Sequence, residues 1–171
     1  FKDPKYIGDP INAIRIFNDK EVDELIVLDI KASKNKKEPN YDLIEQFASE
    51  CFMPLSYGGG IRTIEQAKIL FSIGVEKICI QSAALEEKTF IKDLSSRFGS
   101  SSIIFSLDLK KNWLGNTKAF SYLSQSWITQ PWLDLLKTIV NEGAGEIFLN
   151  SINFEDTMTG MNLDVIKQTI S

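Results

Sequence analysis

The 171-residue chain contains no histidine, and this absence excludes several kinds of active site. Ser-His-Asp and Cys-His catalysis cannot be assembled from this chain alone, and neither can a metal site that uses imidazole ligands. Any proton transfer by the chain must therefore use Asp, Glu, Lys, Cys or Tyr side chains.

Cysteine, positive charge and long apolar runs are also scarce. The two cysteines, Cys51 and Cys79, fit no metal or redox spacing, so we expect reduced, partly buried thiols in a cytoplasmic protein. The net charge of −4 gives no broad basic surface for nucleic acid or anionic membrane. No apolar run reaches the roughly 18 residues of a membrane span, so no membrane association is expected.

What the chain does contain is an alternation of short apolar runs with segments of helical periodicity. Runs rich in Ile, Val, Leu and Phe joined by helices are typical of a parallel sheet covered by helices. A longer segment with several aromatic residues, 110–130, predicts a small hairpin or lid. The predicted strands are 24–30, 53–57, 76–82, 102–109 and 146–152, and the predicted helices are 9–20, 41–51, 63–74, 86–99, 131–143 and 162–170.

A weak internal repeat relates residues 21–30, 74–83 and 143–152. Each copy carries a helix end, a charged residue at the strand start and a polar residue at the strand end. Repeated βα units build either a barrel or an open doubly wound sheet. Because no G-x-G-x-x-G or G-x-x-x-x-G-K-[ST] loop follows the first predicted strand, the pattern favours a barrel.

Three consecutive glycines in "PLSYGGGIRTIEQA" (54–67) follow the second predicted strand and precede a helix with Thr63 as its N-cap. Free N–H groups in such a turn, together with the helix dipole, can bind a phosphate. Ser82, at the end of the next strand, would add a hydroxyl donor. The glycines could equally serve only a tight turn and close packing of helix on sheet, and the turn alone leaves both explanations open.

The ordered segments "DELIVLDIKAS", "PLSYGGGIRTIEQAKILFSIGVEKICIQSAAL", "RFGSSSIIFSLDLKK" and "GAGEIFLNSI" resemble the cyclase subunit of imidazole glycerol phosphate synthase. The resemblance covers nearly the whole chain and is weakest over 110–130. It implies a (β/α)₈ TIM barrel that uses ammonia from a partner glutaminase, as a heterodimer. The ammonia closes an imidazole ring on a bisphosphorylated ribonucleotide, without a metal or cofactor. Residues 1–171 would form one incomplete barrel domain covering about strands two to six, without the first strand and the last two βα units.

The resemblance also implies roles for individual residues. Asp108 matches a family aspartate that performs acid–base chemistry, and its counterpart on strand one would lie upstream of Phe1. Asp29 matches an aspartate at the top of the barrel, with a structural or substrate-orienting role. The substrate and phosphate contacts would be Gly59, Gly60, Gln81, Ser82, Asp29 and Glu155, and the charged gate that admits ammonia would include Glu24, Lys77 and Glu146.

Two departures from the family pattern keep other functions open. Gln81 stands where the family usually has Asn, and the loop "NFEDT" (153–157) replaces the usual D-x-D-G-T. In that loop Asp156 takes the place of glycine and adds negative charge where a phosphorylated substrate should lie. The alternatives are a paralogous barrel that works with a glutaminase to amidate a surface-polysaccharide sugar, and a non-catalytic partial barrel that retains only a docking face.

Overall fold

The computed structural model describes residues 8–153 and 163–170. The chain forms two compact units, Phe1–Ile78 and Cys79–Ser171, and each is described by itself. The first unit alternates strands and helices, as the apolar periodicity predicts, and the second contains both but places three strands in succession. Within the described residues, no helix is long and apolar enough to cross a membrane.

The first unit pairs two parallel strands. Its elements are α1 (Pro10–Asp19), β1 (Leu25–Leu28), α2 (Tyr41–Glu50), β2 (Leu55–Gly58) and α3 (Ile64–Ser72), and β3 (Lys77–Ile80) starts at its end. Strands β1 and β2 run in register from Leu25 opposite Leu55 to Leu28 opposite Gly58. The parallel pairing with an intervening helix is the βα arrangement expected from the sequence.

Polar caps fix where the helices of the first unit begin. Asn40 accepts a hydrogen bond from the N–H of Leu43 at the start of α2. Thr63 and Gln66 form a reciprocal capping box at the start of α3. Inside the unit, Ile14 of α1, Phe47 of α2 and Leu55 of β2 pack together, so the two helices share one apolar core.

The second unit is organised around the long central strand β4. Its elements are α4 (Ser82–Glu86), α5 (Phe90–Phe98), β4 (Ile103–Lys111), β5 (Thr117–Ser121), β6 (Ser126–Trp127), α6 (Trp132–Asn141), β7 (Glu146–Ser151) and α7 (Leu163–Ile170), with a 3₁₀ turn over Ser100–Ser102. Strand β7 pairs with β4 in parallel, from Ile104 opposite Glu146 to Leu109 opposite Ser151. Strand β5 is antiparallel to β4 and pairs with its carboxyl end, and β6 in turn is antiparallel to β5.

Two details differ from the sequence-based expectation. The single helix predicted over 86–99 is preceded by a separate short helix, so that Ser82 opens α4 and does not close a strand. A five-residue helix is shorter than two turns, too short for its apolar residues to recur with a helical period that the sequence could reveal. The alternation of strands and helices is also interrupted, because β5 and β6 follow β4 without an intervening helix; with the five predicted strands they make seven in the described residues. These two strands form the hairpin predicted within 110–130.

Candidate active site

Asp108 lies near the carboxyl end of β4 with both of its carboxylate oxygens hydrogen-bonded. Its Oδ1 accepts from Nδ2 of Asn150 at 2.9 Å, and its Oδ2 accepts from Nε2 of Gln81 at 3.0 Å. The residue is only 8% exposed. Two amide donors therefore fix the plane of a buried carboxylate. An ionised carboxylate has about four acceptor positions, so roughly two are left for a substrate.

The sheet explains why these three side chains meet. Asn150 is the residue of β7 directly opposite Asp108 of β4. Gln81 follows β3 and is the residue before the first turn of α4. The ends of neighbouring strands thus supply one carboxylate and two amides. Asn150 lies at the same strand-end position of the internal repeat as Gln81, which is the sequence signal for a residue that the resemblance did not assign.

Cys79 is buried beside this carboxylate, in surroundings that favour its protonated thiol. Burial raises its pKa to about 12; a hydrogen bond with Ser106 lowers the pKa and the charge of Asp108 raises it. A thiol held in its protonated form reacts slowly. Both cysteines are free, with Cys79 buried and Cys51 half-buried, as predicted.

The glycine turn is packed against the chain's own backbone. Gly59 and Gly60 adopt φ angles of +123° and +73°. A Cβ at Gly59 would collide with the carbonyl oxygen of Asp29, and one at Gly60 would lie 2.6 Å from the carbonyl oxygen of Lys37. Close packing therefore accounts for both glycines without a ligand.

The N–H groups around the turn are mostly engaged within the protein. The N–H of Gly60 donates to Oγ of Ser33 at 3.2 Å, which corrects the expectation that it is free. Oε1 of Gln66 accepts from the N–H groups of Arg62 and Thr63 at 2.7 and 3.2 Å. Phosphate binding by Gly59 and Gly60 stays a prediction, and it requires N–H groups other than these three or a local rearrangement.

Asp29 and Gln66 order the loop that leads from β1 to α2. Oδ1 of Asp29 accepts from the N–H groups of Lys31 and Ala32 at 2.9 and 3.0 Å, which closes a turn. Nε2 of Gln66 donates to Oε1 of Glu38 at 3.2 Å and joins this loop to the glycine turn. Of the two roles expected for Asp29, the structural one is explained by these hydrogen bonds. A contact between Asp29 and the substrate stays a prediction.

The two remaining predicted substrate contacts are Ser82 and Glu155. The half-buried Ser82 is the first residue of α4. Glu155 lies outside the described residues. Just before it, Oδ1 of Asn153 accepts from the N–H of Lys111 at 2.7 Å and fastens the end of β7 to the end of β4.

Two of the three predicted gate residues form an ion pair. Nζ of Lys77 lies 2.8 Å from Oε2 of Glu24, and Oε1 of Glu24 accepts from the hydroxyl of Ser56 at 2.6 Å. Burial acts to raise the pKa of Glu24, but the hydrogen bonds from Lys77 and Ser56 outweigh it and lower the pKa. Glu146 is the exposed first residue of β7, in the second unit. The role of the three residues as a gate stays a prediction.

The site offers carboxylate and amide groups for proton transfer and orientation. Across residues 8–153 and 163–170, no group of three or more His, Cys, Asp or Glu side chains could hold a metal ion. The parallel strands joined by helices, with polar groups at the strand ends, define a protein of the (β/α) class, in which active sites lie at the carboxyl ends of the parallel strands.

The whole chain, residues 1–171, matches the model of a family described as "Histidine biosynthesis protein". The chain belongs to this family, whose members fold as (β/α)₈ barrels, and the resemblance drawn from the sequence is confirmed.

Several relatives carry the name of the same enzyme subunit. A Pseudomonas aeruginosa protein named "Putative imidazole glycerol phosphate synthase subunit hisF2" is 47% identical over 171 residues, 100% of this chain and 68% of the relative. A Leptospira borgpetersenii protein named "Putative imidazole glycerol phosphate synthase subunit HisF" is 49% identical over 169 residues, 98% of this chain and 66% of the relative. An Alkaliphilus metalliredigens protein named "Imidazole glycerol phosphate synthase subunit HisF" is 32% identical over 168 residues, 98% and 67% respectively. The chain thus spans about two thirds of the length of these relatives.

Proposed function

We propose that the protein containing this chain is the cyclase subunit of imidazole glycerol phosphate synthase. It would use ammonia to form imidazole glycerol phosphate and aminoimidazole carboxamide ribonucleotide in histidine biosynthesis. The observation that carries the proposal is Asp108, a buried carboxylate held at a strand end by Gln81 and Asn150. Family membership over the full chain supports the same reaction.

In this reaction Asp108 acts as a general acid–base group. The two amides hold its oxygens in one plane, so that the remaining lone pairs face a bound substrate in a fixed direction. Positioned proton transfer of this kind typically contributes about 10²–10⁴-fold to the rate. No imidazole in this chain can take over the task, because it has no histidine.

The direct test measures ring closure by the full-length protein with the bisphosphorylated ribonucleotide and ammonium salts. Asp108→Asn keeps the shape of the side chain and removes its basicity, so turnover should fall by roughly 10²–10⁴-fold. The matched control is Asp134→Asn, which makes the same change at an exposed position of α6. Near-normal turnover in a folded Asp108→Asn protein would overturn the assignment.

We further propose a glutaminase partner that docks where Glu24 and Lys77 lie, with Glu146 as the third gate residue that the resemblance implies. The support is the Glu24–Lys77 ion pair, which sets two charged groups at the start of strands β1 and β3. Lys77→Ala should reduce glutamine-dependent turnover more than turnover with free ammonium. Arg15→Ala, which breaks the exposed Arg15–Glu50 pair, is the control. Equal losses in both assays would argue against a gate.

The second candidate is a paralogous barrel that amidates a surface-polysaccharide sugar with ammonia from a glutaminase. It is favoured by Gln81, whose longer amide reaches Asp108 where the family usually has Asn. Absence of ring closure by a folded, ammonium-supplied protein would support this candidate over the first.

A further inference from the structure

One face of β4 carries a second functional group beyond Asp108. Successive side chains of a strand alternate between faces, so Ser106, Asp108 and Lys110 share one face while Leu107 and Leu109 are buried on the other. Lys110 lies about 7 Å further along the strand than Asp108, at a rise of about 3.3 Å per residue. The ammonium group therefore belongs to the same face as the catalytic carboxylate.

The hairpin holds this ammonium group with aromatic rings. Nζ of Lys110 lies 4.8 Å from the ring centroid of Phe120 and 5.9 Å from that of Trp127. The two rings pack edge to face at 5.4 Å, and Tyr122 packs on Phe120 at 5.7 Å. Attraction between a cation and aromatic faces restricts the lysine without neutralising its charge.

A second lysine stands next to the first. Lys118 of β5 is directly opposite Lys110 in the antiparallel ladder, and like charges in that position destabilise a sheet. In the part of the chain that the structure describes, neither lysine is paired with a carboxylate. The chain as a whole carries a net charge of −4, so a general excess of lysine does not account for the pair.

We propose that Lys110 and Lys118 form a phosphate-binding site at the edge of the catalytic face, with Phe120 and Trp127 holding Lys110 in place. A phosphate monoester carries up to two negative charges and three strong acceptor oxygens, which would turn the repulsion between the lysines into a bridged contact. The site is separate from the glycine turn and uses residues that the resemblance did not assign. It goes beyond the proposed function, since it applies to whichever phosphorylated acceptor the enzyme uses.

The test follows the indole N–H signals of the full-length protein by NMR during titration with inorganic phosphate. Trp127 reports on the site, and its signal is identified with Trp127→Phe. It should shift saturably with phosphate and stay in place with sodium chloride at equal ionic strength. An unmoved Trp127 signal, or equal movement with chloride, would overturn the proposal.

Substitutions then assign the effect to the two lysines. Lys110→Met and Lys118→Met should each weaken phosphate binding at the Trp127 signal by roughly fivefold or more, as expected for loss of one charge near an anion. Lys110→Arg keeps the charge and should restore most of the affinity. Lys137→Met removes an exposed lysine of α6 and should change nothing.

The folded state of each variant is checked with the signal of Trp132, which is buried in α6 of the same unit. If Lys110→Met unfolds the protein, Lys118→Met decides the question, because Lys118 is exposed and can be shortened without opening the core. Unchanged phosphate affinity in a folded lysine-to-methionine variant would overturn the proposal. Ring closure enters none of these measurements, so failure of the enzymatic proposal leaves their result unaffected.

Discussion

Asn150 is the residue of β7 directly opposite Asp108 of β4, and its Nδ2 donates to Oδ1 of Asp108 at 2.9 Å. The ladder register thus places an amide beside the carboxylate without any loop being involved. A residue on a strand is held more firmly than one on a loop, and we therefore propose Asn150 as a positioning residue for Asp108.

Replacing Asn150 with Leu should lower kcat with free ammonium by roughly tenfold and leave KM little changed, because the variant loses orientation of Asp108 and not substrate contacts. Asn150→Thr retains a hydroxyl donor and should recover part of the loss. Steady-state kinetics and thermal unfolding of both variants give the comparison. A rise in KM at constant kcat would instead make Asn150 a substrate-binding residue.

Gly60→Ala should destabilise the protein by about 2 kcal/mol or more, since the new methyl group meets the carbonyl oxygen of Lys37 at 2.6 Å and the φ angle is +73°. Gly115→Ala is the matched control: its φ angle is +83°, but nothing lies within 4 Å of the added carbon. Urea unfolding of both variants separates backbone strain from collision. Equal losses would mean that close approach contributes nothing at Gly60.

The Glu24–Lys77 pair should stabilise the fold in a pH-dependent way. The folded state lowers the pKa of Glu24 from 4.5, so its contribution is present above that pH and is lost as pH falls through the lower folded value. The side chains are 27% and 21% exposed, which limits the effect to about 1 kcal/mol. A double-mutant cycle with Glu24→Gln and Lys77→Met, run by urea unfolding from pH 7 to pH 3, measures it. A coupling free energy that grows as the pH falls would contradict the assignment.

Cys79 should resist alkylation in the native protein. With its pKa raised to about 12, only about one thiol in 10⁴ is ionised at pH 8. Mass spectrometry after iodoacetamide treatment should find Cys79 unmodified in the native protein and both cysteines modified in urea. The half-buried Cys51 is the internal reference for the extent of native modification. Because the folded state raises the pKa of Cys79 above its ordinary value of 9.0, the free energy of unfolding should also fall as the pH rises above that value. Rapid native modification of Cys79 would show that the strand end opens.

The sequence predicts those parts of the structure whose signals are local. Apolar periodicity gives β1, β2 and α3 to within a few residues, and Thr63 is identified as a cap because its partner Gln66 is only three positions away. The hairpin within 110–130 is likewise a local feature.

Contacts between distant residues leave little signal of this kind, although the internal repeat does place Gln81 and Asn150 at equivalent strand ends. The N–H of Gly60 donates to Ser33, which is 27 positions earlier in the chain, so the turn looked more open in the sequence than it is. The hydrogen bond from Gln81 to Asp108 also spans 27 positions, and that from Asn150 spans 42. These distances are set by the ladder register and by loop packing, which the pattern of residue types does not encode.

The side chain of Gln66 bears on how this protein could be re-engineered. The amide oxygen of Gln66 accepts hydrogen bonds at the start of α3, and its amide nitrogen donates to Glu38. The segment between β1 and α2 is therefore linked to the segment between β2 and α3, and the two should be exchanged together. A designer who transplants residues 29–40 from a relative should move residues 58–66 from the same donor with them. A graft of either segment alone would separate the buried amide of Gln66 from the partner it has in Glu38. We expect such chimeras to express poorly even when each segment comes from a member of the family.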